Sequence, residues 1–331
     1  MNLINKLLVQ VVCLSGGLFL SIYLGLSIGS SGFQPMVIID AITGQNGADT
    51  LATTILWKIR LPRVLLAIGV GAVLAVGGVV FQALLRNPLA EPYILGVSGG
   101  AAIGAIIGII FGLTLFPGIS TTAFLGSSLT LVAILLISSK QSIGINNSLL
   151  LSGVMVNAFC SSIIIFFISM VHDSRLNSIM FWLMGDLSQA EIPQVTLLYF
   201  IIIPCFVVIV FFSHRMNVMQ LGEELAESMG INIKQTVLVL LITTTLMVSA
   251  TICHSGLLGF VGLIIPHLLR LVIGSDHRLL IPAAALAGGT YMVFCDILAR
   301  WLPNQGEIPV GVITAIIGAP LFIILLRKTQ K

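Results

Sequence analysis

The chain is a succession of apolar blocks, most of them about twenty residues long, separated by polar interruptions. Ten blocks stand out, at 7–28, 61–82, 94–115, 119–140, 148–171, 192–212, 236–255, 258–273, 280–300 and 308–327. An apolar run of that length, wound as a helix, matches the hydrocarbon thickness of a bilayer. In lipid a helix also satisfies its own backbone N–H and C=O groups. The alternation that marks a membrane barrel is absent. The pattern predicts an all-α polytopic membrane protein of about ten transmembrane helices, forming one transmembrane domain over residues 1–331. The eighth block is short and carries Pro266, and without it the C-terminus would change sides. The first block reads as a span and not as a cleaved leader, because Val12 precedes Cys13 where a lipoprotein cleavage site wants a small residue.

An even number of spans puts both termini on one side, and the cations between spans decide which. With the termini in the cytoplasm, the inner segments hold Lys6, Arg86, Lys140, Arg215, Lys234, Arg270, Arg278, Arg327, Lys328 and Lys331. The outer segments hold Lys58, Arg60, Arg63, Arg175 and Arg300. Ten against five sets the termini inside. It also leaves the string KIRLPR (58–63) outside, against the trend. Snorkelling at the membrane interface accounts for one or two cations there more easily than three.

Two interruptions are long. One covers 29–57, outside; the other covers 214–235, inside, and reads HRMNVMQLGEELAESMGINIKQ. In the second, Leu221, Leu225 and Met229 recur at helical spacing beside Glu223, Glu224 and Glu227, and Gly222 and Gly230 punctuate it. The segment predicts two short helices on the cytoplasmic face, longer than a plain connector needs and so suited to docking. Its three glutamates argue against a bed of anionic headgroups. Within the third block Gly96, Gly100, Gly104, Gly108 and Gly112 recur every four residues, a stripe of about 24 Å. Glycines so spaced let another helix approach closely, either as static packing or as the wall of a pathway.

Composition narrows the field. The chain has 331 residues, 57% hydrophobic and 8% charged, with mean hydropathy +1.13, far from the roughly 25% charged residues of a soluble domain. Net charge is +3, and no basic block is long enough to track nucleic-acid phosphates. Cys13, Cys160, Cys205, Cys253 and Cys295 lie far apart, and the five histidines show no ligand spacing, so no metal site is expected. There is no GxxxxGK[ST], HExxH or GxSxG string, hence no nucleotide loop and no catalytic constellation. The blocks carry few ionisable residues, with Asp296 near an end, which weakens a proton-coupled carrier.

Eight strings then fall in order: RLPR (60–63), FQALLRNPLAEPYILGVSGGA (81–101), LLLSGV (149–154), FWLMGDL (181–187), LGEELAESMG (221–230), GFVGLIIPHLLRLVIGSDHRLLIPAAALAGG (259–289), DILAR (296–300) and EIPVGVITAIIGAPLF (307–322). Together they resemble the FecCD family, the type II permeases of ABC importers for iron chelates (siderophores), haem and cobalamin, over nearly the whole chain. The resemblance implies a ten-helix subunit of the bacterial inner membrane that pairs with a second permease subunit, a homodimer first, around a central pathway. It implies two ATPase subunits, which bind ATP and Mg, and a periplasmic or lipoprotein substrate-binding protein. It implies no cofactor in this chain and no enzyme activity of its own, with ferric siderophore ahead of haem or cobalamin as cargo. An ion-gradient-driven secondary transporter is the alternative.

By the same resemblance, Arg60, Arg63 and Arg300 pair with glutamates of the receptor, a role suited to a planar guanidinium fork. Leu221, Gly222, Glu223, Ala226 and Gly230 form coupling helices that sit in a cleft of the ATPase. Asn87, Leu89, Asn146 and Asn147 form the inner gate, although 146 and 147 depart from the small hydroxyl residues expected there. Asp186 stands where a small residue is commoner, near the outer mouth.

Overall fold

The computed structural model describes residues 3–29, 32–33, 51–139, 145–171, 175–303 and 306–329, with the side chains at 3–6, 32–33, 51–52, 138–139, 145–149, 326 and 328–329 outside the described set. The chain forms α1 (Leu3–Ser27), a two-residue hairpin of β1 (Ile28–Gly29) and β2 (Gly32–Phe33), and α2 (Leu51–Ile55). A π-helical turn, Leu56–Arg60, leads without a break into α3 (Leu61–Leu84). Then come α4 (Val97–Ile110), α5 (Ser120–Ser139), α6 (Ile145–Met170), α7 (Arg175–Met184) and α8 (Ile192–Met219). The last five are α9 (Glu223–Ser228), α10 (Ile233–Ser255), α11 (Val261–Ile273), α12 (His277–Trp301) and α13 (Val310–Thr329). Each of the ten apolar blocks overlaps one of these helices, and among the described residues seven helices are long and apolar enough to cross a membrane. The ends of the bundle are called outer and inner below, following the cation count.

Helix α3 is the axis. Val64, Ala67, Val70, Val73, Leu74, Val80 and Phe81 are buried along it, and α12, α11, α10 and α8 pack around it. Two contacts bring backbones together: a Cβ on Gly71 would collide with the Gly288 carbonyl, and one on Gly78 with that of Gly262. Lipid offers no hydrophobic drive between helices, so close backbone approach supplies the packing. Helices α4, α5 and α6 form a second group, while Phe19, Leu129, Phe159, Phe200 and Phe211 stay exposed on the flanks of the bundle.

Three elements differ from the pattern reading. The third and eighth blocks hold helices of only 14 and 13 residues, about 21 and 20 Å against a core of roughly 30 Å. Beside them lie turns and a 3-10 helix, Pro92–Leu95, at 85–96 and irregular backbone at 256–260, and the two stretches meet inside the bundle. The Leu258 N–H donates to Tyr93 Oη at 3.1 Å, and the Phe260 N–H donates to Glu91 Oε1 at 3.2 Å. Non-helical backbone is tolerated at membrane depth only where protein surrounds it, and these polar partners show how its donors are met. The second difference is α7, a ten-residue amphipathic helix in what reads as an outer loop, with Ile179 and Trp182 buried. The third corrects the paired coupling helices: α8 runs on through His214 and Arg215 to Met219, so among the described residues 220–232 hold one short helix, α9.

Candidate functional site

The outer end gathers the arginines of RLPR and DILAR around one carboxylate. Arg60, Arg63 and Arg300 are 5%, 3% and 4% exposed, and Asp296 is fully buried. Arg63 Nε donates to Asp296 Oδ1 at 2.7 Å and Arg63 Nη1 to Glu307 Oε2 at 2.6 Å. Arg300 Nη2 lies 3.0 Å from Asp296 Oδ2, while its N–H groups aim at the Ile28 and Gly25 carbonyls at 3.0 and 3.2 Å. Arg60 Nη1 donates to the carbonyls of Leu26 and Ser27 at 2.7 and 3.3 Å. Two guanidinium groups thus cap the orphan carbonyls at the C-terminus of α1, where the helix dipole favours cations. The sequence reading presents these three arginines to a receptor. In the structure their forks are engaged within the chain, and the exposed cation of KIRLPR is Lys58.

A separate cavity of about 580 Å3 opens between α7, the α4–α5 connection and the end of α10. Its wall mixes Arg175, Asn177, Phe181, Trp182, Ser120 and His254, the blend of apolar surface and a few polar groups that suits an organic ligand of modest size. His254 Nδ1 sits 3.3 Å from Ser120 Oγ, and its ring lies against Phe116 with centroids 5.7 Å apart. Asp186 is at the rim, but both its oxygens accept from Ser188 and its N–H donates to Ser255 O, so it locks a turn.

The inner end carries the gate and coupling candidates. Asn87 accepts the Leu89 N–H on Oδ1 at 2.9 Å, and its carbonyl accepts the Ala90 N–H at 3.0 Å. That Asx turn follows from Asn before Pro88, which disfavours helix, and it leaves Leu89 exposed. Asn146 and Asn147 lie in the first turn of α6, and their side chains are outside the described residues. Gly222 and Gly230 bracket α9 at φ 125° and 81°, values that favour glycine. Within it Ala226 is fully buried, and Leu221, Leu225 and Met229 stay exposed.

The structure joins these two sets through Arg86, whose Nη2 lies 3.2 Å from Glu223 Oε1 and 3.5 Å from Met219 O. Beside them the SDHR string ties α8 to α12. Asn217 Nδ2 donates to Asp276 Oδ1 at 2.7 Å, and Asn217 Oδ1 accepts the His277 N–H at 2.8 Å. Asp276 also pairs with Arg278 at 2.8 Å, which holds its carboxyl down to about 2.

Of the glycine stripe, three members pack α4 onto α5: a Cβ on Gly100 or Gly104 would meet the Gly126 or Thr122 carbonyl, and one on Gly108 the Thr122 hydroxyl. Gly96 and Gly112 stand at the ends of α4 with φ 69° and 67°, and Gly112 has open space around it.

Known proteins share this architecture. Residues 17–328 match the FecCD transport family. The cobalamin import system permease of Halobacterium salinarum is 38% identical, covering 91% of this chain and 81% of its own. The hemin transport system permease of Yersinia pestis is 36% identical, covering 89% of this chain and 94% of its own. A solved structure described as a metal-chelate type ABC transporter in an inward-facing conformation superposes with a TM-score of 0.86 at 33% identity, covering 96% of this chain and 98% of that one. The chain is accordingly a multi-pass permease subunit and not an enzyme, and it belongs to the FecCD transport family.

Proposed function

We propose that the chain is one of two identical permease subunits in an ATP-driven importer of the bacterial inner membrane, with both termini cytoplasmic. Two separate ATPase subunits bind ATP and Mg at the inner face, and a periplasmic or lipoprotein receptor delivers cargo to the outer face. The cargo is a metal chelate, ferric siderophore first, with haem and cobalamin as its competitors; the relatives named for hemin and cobalamin support that class. The observation that carries the reading is the Arg86–Glu223 pair, which bridges the NPLA turn and the exposed helix α9. A push on α9 from a closing ATPase dimer reaches the gate turn through one ion pair and the continuous helix α8, a contiguous element of the kind that coupling requires. At the outer end Arg60, Arg63 and Arg300 are engaged within the chain, so the exposed Lys58 would supply the positive field that steers a receptor carboxylate.

The test is uptake of ferric siderophore, haem and cobalamin into proteoliposomes that hold the permease, its ATPase and its receptor. ATP-dependent uptake of one chelate, lost in the Glu223→Lys, Ala226→Glu variant, is expected. Uptake by the lone chain that collapses with an ionophore at constant ATP would establish the ion-driven alternative instead.

A further inference from the structure

The inner end holds a cavity with an unbalanced wall. It measures about 380 Å3 and is lined by Gln82, Ala83, Arg86, Pro88, Gln220 and Arg270. Gln82 Nε2 donates to Gly262 O at 3.0 Å, which fixes the amide with its oxygen toward Arg270, and Arg270 Nη1 donates to that oxygen. Among the described residues no carboxylate lies within 4.0 Å of the Arg270 guanidinium. A half-buried guanidinium with no counter-ion sits at a cost, and most of its five N–H donors remain for an acceptor. Arg86 adds a second cation, held at φ 47°, a left-handed conformation that a residue with a Cβ adopts only at a cost. Gln220 supplies a neutral amide to the same wall.

We propose that this pocket receives a carboxylate side chain of the ATP-hydrolysing partner, pairing with Arg270 and pulling the NPLA turn and α9 toward that partner. The proposal rests on the importer reading above. The planar fork of a guanidinium matches a carboxylate in two parallel hydrogen bonds. The surroundings favour a protein source over a lipid phosphate. The neighbouring segment around α9 exposes Leu221, Leu225 and Met229 among Glu223, Glu224 and Glu227; those acids would repel anionic headgroups, whereas a protein surface can pair with both the apolar and the acidic groups.

The experiment uses the full complex of permease and ATPase in nanodiscs. In the Arg270→Lys variant a carbodiimide links the introduced amine to any carboxylate it touches, and mass spectrometry identifies the joined peptide. The proposal expects a link to one Asp or Glu of the ATPase, absent in the wild type, and an Arg270→Gln variant that binds the ATPase at least about tenfold more weakly while keeping its thermal midpoint. A link to Glu223 of the permease itself would overturn it. So would a wild-type complex that assembles normally while the variant yields no ATPase link. An Arg270→Gln defect seen only in nanodiscs containing phosphatidylglycerol, with no link, would assign the pocket to a lipid phosphate. If the ATPase fails to associate with the wild type at all, the importer reading falls first and takes this proposal with it.

Discussion

The two ends of the bundle use arginine in opposite ways. At the outer end three arginines share Asp296, Glu307 and four carbonyls at the close of α1, and their charge is spent within the chain. At the inner end Arg86 holds an exposed glutamate and Arg270 holds an amide oxygen. A cluster whose members satisfy one another fixes a structure. A cation left without a counter-ion, on the face that carries α9, is poised for something that arrives. The contrast separates residues that hold the permease together from residues proposed to connect it to a partner.

The largest effect expected from breaking this contrast lies outside. Asp296→Ala would take the shared carboxylate from two buried guanidinium groups, leaving Arg63 with Glu307 and Arg300 with backbone carbonyls, and cost about 3–5 kcal/mol, read as a drop in the thermal midpoint in detergent. Next comes Gly104→Leu, which would drive a side chain into the Thr122 carbonyl, with a cost of about 1–3 kcal/mol or more from overpacking. At the inner end Arg270→Met abandons no carboxylate, so stability should change by less than about 1 kcal/mol while ATP-coupled uptake is lost in proteoliposomes.

The smallest effect concerns acid. Asp276 titrates near 2 because the Arg278 hydrogen bond favours its charged form, against about 3.9 in an unfolded chain. Its contribution is therefore complete above about pH 4 and is lost as pH falls toward 2. An Asp276→Asn variant should flatten that acid limb in a pH series of unfolding midpoints, and by little, since the pair with Arg278 is partly solvated.

Much of the fold is legible in the pattern of apolar blocks, because helix length in lipid is set by bilayer thickness. The shortened α4 and α11 are not legible that way. Hydropathy sees the same apolar residues at 94–96 and 256–260 whether the backbone is helical or irregular, and only the partners Glu91 and Tyr93 reveal how it is satisfied. The NPLAEP string, with two prolines in six residues, was the available signal for the first of these breaks. Helix α7 is too short for a span and too apolar for a loop, so the pattern passes over it. The inward turn of Arg60, Arg63 and Arg300 is hidden for another reason: Asp296 and Glu307 lie more than two hundred positions from Arg63, and nothing local ties them. In the sequence Asp296 is only an ionisable residue near the end of a block. At the inner end the sequence marks α9 by its paired glycines and its glutamates, but the bond from Glu223 to Arg86 joins strings more than a hundred residues apart.

The outer arginines hold the fold, and the inner one, Arg270, is proposed to hold a partner. This division is tested most directly by measuring two quantities, thermal midpoint and ATPase affinity, on Arg63→Gln and Arg270→Gln side by side. A crossed result is expected: Arg63→Gln loses stability while its folded fraction binds the ATPase as the wild type does, and Arg270→Gln keeps its midpoint while binding weakens. An Arg270→Gln variant that unfolds as readily as Arg63→Gln, with ATPase affinity unchanged in both, would contradict it.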